Sequence, residues 1–394
     1  MTLAELVAGH RVVIAAGSGG VGKTTVAASI ALWGALGGRR TVVLTIDPAR
    51  RLAASLGLAS LDAEPRDIPA AVFAAQGLRP RGTLAAMMLD QKGAWDALVE
   101  RHAPAEARAR ILANPFYQHL SQTFAGSYEY VAIEQLCALA ESGRWDLIVV
   151  DTPPTRHALD FLEAPRRLDD FLDRRIIRWF VRPYFSAGWS ALRAVNRTAG
   201  FLLRRLEQAT GLSALAEISD FFANMSGLFD NFHERIERAT AILRGAETAF
   251  VVVTSPEEQV LGDAEYLSSK MAALAMPLRG VVMNRVHAEF RAAGRGRSGG
   301  DVGPEDVARV AAALDRALPG RAEEAAALAR NFADYQALAR GESLRIEHFA
   351  AGLPRRVPLV RVPNFPRDVH DLASLAAMHV HLFGAPAGSP GPPG

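Results

Sequence analysis

Thiols are almost missing from this chain: Cys137 is the single cysteine in 394 residues. One thiol rules out, within the chain, a disulfide framework, a cysteine-built zinc site and a cysteine-held iron–sulfur cluster. A reducing cytosol suits such usage. Lysine is nearly as scarce, standing only at positions 23, 92 and 270 against 41 arginines. The net charge is +2, so no overall polyanion partner is implied and any basic surface must be local. No stretch approaches the run of about 18 uncharged apolar residues that a membrane-crossing helix needs. The first residues, Met1 to Leu6, lack the basic-then-apolar pattern of a secretory leader. A soluble cytoplasmic protein is therefore expected, at most peripheral to a membrane.

Against that lysine-poor background, Lys23 stands inside Gly17-Ser18-Gly19-Gly20-Val21-Gly22-Lys23-Thr24-Thr25, which fits G-x-x-x-x-G-K-[ST]. The apolar run Val12–Ala16 precedes it and the helix-favouring run Val26–Trp33 follows, giving the strand–loop–helix setting that the pattern requires. Its glycines let successive N–H groups turn toward one centre, and the following helix adds the positive end of its dipole. Such a cradle binds a polyanion. Gly19, Gly20, Val21, Gly22 and Thr25 are expected to line it. Lys23 would supply a point charge to the outer phosphates, and Thr24 a hydroxyl ligand for Mg²⁺.

Local patterns place a short helix at residues 3–8 and the cradle helix from Lys23 to about Leu36, stopped by Gly37-Gly38. The unbroken apolar run Thr41–Ile46 reads as a strand covered on both faces, as in a parallel sheet. It closes on Asp47, at the carboxyl end of a strand, where open α/β sheets bind ligands; Asp47 could also cap a helix from Ala49 to Leu56. Residues 57–82 read as loop with a short strand, and 83–141 as mostly helical. A third apolar strand, Leu147–Val150, closes on Asp151, the pattern of the carboxylate that orders a Mg²⁺ shell. The residues after it, Thr152 to His157, form a candidate loop sensing the γ-phosphate. Further strands are expected at Ala249–Val253, Leu278–Met283 and Val357–Val362. Helices are expected from Pro256 to about Met276 and at 304–317, 321–349 and 368–383, with a Gly/Arg-rich loop at 287–303. No guanine-reading Asn-Lys-x-Asp occurs, which favours ATP over GTP.

Together, GSGGVGKTT, TIDPARRLAASLG and IVVDTPPTRHALDFLEAP resemble the ArsA/Get3 group of anion-transporting P-loop ATPases, in the wider class of the MinD, ParA and nitrogenase iron-protein ATPases. The resemblance covers the nucleotide half well and is looser over the helical middle. It implies an α/β P-loop NTPase fold: a mainly parallel sheet flanked by helices, with an inserted helical subdomain. It also implies Mg·ATP as cofactor and a dimer whose two nucleotide sites face each other and close on ATP. By motif position, Lys23 would hold phosphate, Asp47 would orient the attacking water and join the Mg²⁺ shell, and Asp151 would support Mg²⁺. Asn284 would bond the adenine, and Pro363 would open the adenine-contacting loop. The implied output is binding and release of an apolar client helix or membrane-associated protein. A MinD/ParA-like positioning ATPase and an arsenite-pump motor are the alternatives.

Two departures from the group stand out. Its loop usually carries a second lysine directly after the first glycine, reaching across the dimer to the partner's phosphates, and here that position is Ser18. Either an arginine such as Arg50 or Arg156 supplies the charge, or hydrolysis is slow, or the chain pairs with a lysine-bearing paralogue instead of forming a homodimer. Cys137 alone also cannot build the group's arsenite site or its zinc-binding Cys-x-x-Cys, and the ten histidines form no ligand-like cluster. Arsenite pumping is therefore disfavoured.

The expected organisation is a nucleotide-binding core at 1–159, with helices 83–141 partly in the helical subdomain, a helical client or partner subdomain at 160–244, the rest of the core at 245–383, and a disordered Gly/Pro-rich tail at 384–394. From Arg174 to Leu206 there are eight arginines, six aromatics and no acid. Amphipathic stripes run from Phe185 to Leu206 and from Leu215 to Ile236. These stripes either pack on each other or leave Trp179, Phe180, Tyr184, Phe185 and Trp189 as an apolar surface ringed by arginine, suited to a client helix or an anionic membrane face. Nucleic acid is the weaker reading, because no reader motif accompanies the arginines.

Overall fold

Unbroken runs of Val, Ile, Leu and Ala are stable as strands only when both strand faces are covered. The computed structural model covers them with two helical layers; it describes residues 2–46, 51–123, 127–153, 229–289, 304–317 and 319–384. The first part comprises α1 (Leu3–Gly9), β1 (Val12–Ala16), α2 (Lys23–Leu36), β2 (Arg40–Thr45), α3 (Arg51–Ser55), β3 (Arg66–Asp67), α4 (Ala70–Ala75) and β4 (Thr83–Met88). Then come α5 (Gln91–His102), α6 (Ala105–Ala113), α7 (Pro115–Thr123), α8 (Ser127–Glu141) and β5 (Leu147–Asp151). After residue 228 follow α9 (Phe229–Arg244), β6 (Thr248–Thr254), α10 (Glu258–Ala273), β7 (Leu278–Val286), α11 (Pro304–Ala317), α12 (Ala322–Gly352), β8 (Leu359–Pro363), α13 (Leu372–Ala377) and α14 (His379–Phe383).

The strands form one sheet in the order β3-β4-β2-β5-β1-β6-β7-β8. Every neighbouring pair is parallel except the short β3–β4 pair. β1 lies inside the sheet, with Ile14 opposite Val150 on one side and Phe250 on the other. From β1 the chain builds one flank through β2, β4 and β5 and then the other through β6 to β8. A ligand crevice therefore opens at the carboxyl end of β1. Side chains alternate between the layers. Ile14, Leu44, Val150 and Val252 face α5 to α10 and α12, while Val13, Val43, Val149 and Val251 face α1 to α4, α13 and α14.

The helix that follows β1 is held on all sides. Trp33 on α2 stacks on Phe383 with ring centroids 4.6 Å apart, and the Ser29 hydroxyl donates to the Leu375 carbonyl at 3.0 Å. His379 Nε2 in turn donates to the Ser29 carbonyl at 3.0 Å. The C-terminal helices thus fix α2 against the sheet.

Three sequence expectations need correction. The supposed helical stretch 83–141 begins with a strand: β4 pairs in parallel with β2 from Arg40↔Thr83 to Thr45↔Met88. Its sequence, TLAAMM, holds one β-branched residue among helix formers, so burial beside β2 overrides local propensity. The supposed loop at 57–82 contains α4 as well as the short strand β3. The single helix expected at 368–383 starts only at Leu372, behind the Asp371 capping box, and ends as two helices joined at Met378. The Arg174–Leu206 stretch, most of the loop at 287–303 and the tail beyond Gly384 lie outside the described residues. The second amphipathic stripe enters them at α9, where Ile236 is buried with Ala239 and Leu243.

Burial lowers the His379 imidazole from 6.5 to about 4, against the opposing pull of its bond to Ser29. The unfolded chain takes up this proton below its ordinary pKa while the folded chain does not. Stability is therefore lost as pH falls from about 6.5 to about 4, by up to about 3 kcal/mol. Urea midpoints should fall across that window in the native chain and less in His379→Gln; an equal fall in both would place the acid sensitivity elsewhere.

Candidate functional site

Where β1 ends, Gly17 passes so close to β6 that a methyl group on it would collide with the Val253 carbonyl. Gly22 sits at φ 92°, ψ 26°, a left-handed conformation costly for any residue with a Cβ. A methyl there would also run into the Asn284 side chain. Gly22 is the N-cap of α2, and no side chain caps the helix. The helical ladder starts with the Val26 amide on the Gly22 carbonyl at 2.9 Å. The amides of Lys23, Thr24 and Thr25 are thus left outside the ladder, at the positive end of the helix dipole.

Side chains gather around these amides. Lys23 is 7% exposed, and its Nζ donates to the Ser18 carbonyl at 2.7 Å, across the loop. Asp151 is fully buried at the end of β5. Its Oδ2 accepts from Thr24 Oγ1 at 2.8 Å and from Thr45 Oγ1 at 3.0 Å. A hydroxyl and a carboxylate beside a phosphate cradle are hard oxygen donors that suit Mg²⁺, which leaves most of its shell to water and phosphate. The cradle that a Cβ would fill and this donor set both fit Mg·ATP. Among the described residues, no group of three or more His, Cys, Asp or Glu side chains is placed to hold a metal ion.

Beyond Asp151, Thr152 pins the chain to β1: its amide and its hydroxyl reach the Ala15 carbonyl at 3.2 and 2.8 Å. On the opposite flank, β7 carries a bulge. Arg285 adopts φ 60°, and the β7–β8 register shifts between Met283 and Val286. Bulges re-aim side chains. Here Asn284 is buried and its Nδ2 donates to the Val21 carbonyl at 2.8 Å, so it braces the cradle itself. Ser18 is also engaged, its Oγ donating to Asp263 Oδ2 on α10 at 2.9 Å.

The fold brings Gly19, Gly20, Val21, Gly22, Lys23, Thr24, Thr25, Asp151 and Asn284 to one end of the sheet, with Asn284, named in the sequence for adenine, donating to the Val21 carbonyl. Pro363 ends β8, where the next amide, that of Asn364, donates to the Val286 carbonyl at 2.9 Å. Asp47, Arg50 and Arg156 lie outside the described residues. Sequence reading missed Thr45 and Asp263. No motif marks either, because each acts on a residue far away in the chain.

A glycine cradle between an inner parallel strand and a helix, with Lys23 across its mouth and Thr24 tied to Asp151, defines a P-loop NTPase. The sequence profile of the anion-transporting ATPase family matches residues 10–294, and the chain belongs to that family. It is 25% identical over 273 residues to ATPase GET3 of Malassezia globosa, covering 68% of this chain and 71% of that protein. To ATPase GET3B of Arabidopsis thaliana it is 26% identical over 291 residues, covering 68% and 62%. An uncharacterized Streptomyces coelicolor protein, SCO2128, is 34% identical over 194 residues, covering 48% and 45%. The chain is accordingly an ATPase of the ArsA/Get3 kind. Among the described residues, no helix is long and apolar enough to cross a membrane.

Lys23→Ala should weaken ATP binding by about a hundredfold, the scale of a lost charge-assisted contact, with the far-ultraviolet circular dichroism unchanged. Titration with a fluorescent ATP analogue checks this, and unaltered affinity would dismiss the phosphate assignment.

Proposed function

We propose that the chain is a dimeric switch that couples Mg·ATP hydrolysis at Gly19–Thr25 to binding and release of an apolar protein segment. The observation that carries the hydrolytic half is the buried Asp151 carboxylate holding the Thr24 hydroxyl at the cradle's edge. The amides of Gly19 to Thr25 and the Lys23 ammonium hold the phosphates. Mg²⁺, when bound, would offset phosphate charge; Thr24 would supply an oxygen to it, and Asp151 and Asp47 would order the water around it. Asp47 also orients the water. That water's oxygen bonds to the γ-phosphorus as the bond to the bridging oxygen breaks; ADP leaves with the electron pair, and a proton of the water passes to a γ-phosphate oxygen. Asn284 and Pro363 stand at the nucleoside end.

The client half rests on the arginine- and aromatic-rich stretch 174–206 and on how its flanking helices are tied. On α9, Arg235 Nε donates to Glu134 Oε2 on α8 at 3.0 Å, in a partly buried ion pair. α8 runs into β5, which ends at Asp151, and Thr152 is bonded to β1. A change at the phosphate can thus travel through the loop at Asp151–Arg156 and α8 to the helices that return from the insertion. Ser18 spends its hydroxyl on Asp263 in its own chain, which supports a site completed by a cation from elsewhere. Arg50, Arg156 or a lysine of a paralogue would supply it. The protein would work in the cytosol, peripheral to a membrane when a client is delivered there.

Two variants test the halves separately. Asp47→Asn should bind ATP within about twofold of the native chain and lose turnover by about a hundredfold or more, as expected for a group that positions water; full turnover would reduce Asp47 to a helix cap. Trp179→Ala combined with Phe180→Ala should keep ATP turnover but no longer retain an apolar helical peptide on gel filtration. Retained capture would sink the client assignment, and binding to anionic vesicles without peptide capture would favour a positioning ATPase. Arsenite-stimulated turnover would revive the pump reading.

A further inference from the structure

A cavity apart from the nucleotide cradle lies on the β4 flank of the sheet. β4 stands three strand positions from β1, about 14 Å at the usual spacing. Here α5, α8 and the segment before β3 enclose about 250 Å³. That volume is below the usual range for drug-sized ligands. Gly93, Ala94 and Ala97 of α5 and Ala138 of α8 line it, and longer side chains at these positions would fill it.

The floor is apolar and firmly held. Met87 and Leu89 at the end of β4, Leu139 of α8 and Trp145 line it and are buried. Arg11 donates from Nε to the Trp145 carbonyl at 3.2 Å and from a terminal nitrogen to the Ala140 carbonyl at 2.6 Å. The Leu89 amide donates to the Thr45 carbonyl at 3.0 Å, and the Met88 amide to the Asp62 carbonyl at 2.9 Å. The walls are thus set by the fold before any ligand arrives.

Charge is sorted along the cavity. Asp90 is the N-cap of α5, and Glu64 follows shortly after Asp62, whose carbonyl is bonded to Met88. Both acids therefore stand at the carboxyl end of β4. Arg101 lies about three turns beyond Asp90 on α5, roughly 16 Å along the helix axis. Arg144 precedes β5, at the amino end of the parallel sheet, with its guanidinium over the Trp145 ring at 5.2 Å from the centroid. Neither arginine has a carboxylate partner among the described residues, and both line the cavity.

We propose that this cavity binds a small monocarboxylate with an apolar body. The body rests on Met87, Leu89, Leu139 and Trp145, and the carboxylate is held by Arg101 and Arg144. A guanidinium offers paired donors that match the two oxygens of a carboxylate. Glu64 and Asp90 repel an anion from the opposite end and so fix which way the ligand lies. The site is independent of the ATP reading of the cradle.

Hexanoate, octanoate and 3-phenylpropanoate are the probes, each titrated calorimetrically into the full chain. At least one should bind with a Kd on the order of 100 μM, as expected for a ligand of so few atoms. The matching alcohol and amine should bind at least about tenfold more weakly, and inorganic phosphate, which has no apolar body, should show no heat of binding. Arg101→Gln combined with Arg144→Gln should lower the acid to the affinity of its alcohol and leave the alcohol unchanged. Ala97→Leu should abolish binding of both by filling the cavity, with ATP affinity retained as the sign of an intact fold. Should Ala97→Leu fail to fold, the arginine pair, which is exposed, decides. The proposal is overturned if none of the three acids binds, or if an alcohol binds as tightly as its acid. Acid binding that survives the arginine changes, or survives Ala97→Leu, puts the ligand elsewhere and overturns it as well.

Discussion

The amides in the first turn of α2 belong to no helical ladder, and the loop in front of them is built without a side chain that would cap them. A Ser, Thr or Asp at the N-cap would satisfy one of these groups and stabilise the helix by roughly 1 kcal/mol. Gly22 forgoes that and takes a backbone conformation that residues with a Cβ reach only with strain. The helix therefore has to be held by other means. α2 is buried between the sheet and α13–α14, with Trp33 stacked on Phe383 and Ser29 bonded to both C-terminal helices. Packing far from the cradle keeps the donors aimed at it.

Charge is distributed around those donors with the same economy. Lys23 lies back on the Ser18 carbonyl, which places its ammonium at the loop. Asp151 receives hydroxyls from two elements, α2 and β2, which joins the cradle, the second strand and the end of β5 at one oxygen. Movement of any of the three is felt by the others. Ser18 adds a fourth link, to α10 through Asp263.

The β7–β8 flank is organised by a different device. The bulge at Arg285 turns Asn284 onto Val21 and lets His287 reach Glu342 on α12. A regular strand alternates its side chains between faces, and a bulge breaks that alternation. The same local irregularity thus braces the cradle and places an oriented imidazole beside the loop that follows β8. Arg345, one turn beyond Glu342 on α12, donates to the Pro256 carbonyl at 2.8 Å, tying that helix to the start of α10 as well.

The sequence by itself determined the cradle, because Gly17 to Thr25 make their site within nine consecutive residues through backbone geometry alone. It also determined β1, β2, β5 and β6, whose unbroken apolar runs have no stable place except a covered parallel sheet, and with them the position of Asp151. It did not determine β4, since Leu84, Ala85, Ala86 and Met87 suit a helix as well as a strand until β2 offers an edge to pair with. Tertiary structure alone decided the contacts of Ser18 with Asp263, 245 residues away, and of Asn284 with Val21, 263 residues away. The reason is physical: periodicity and propensity act over a turn or a strand, whereas these partners meet only once β6 and β7 are laid beside β1.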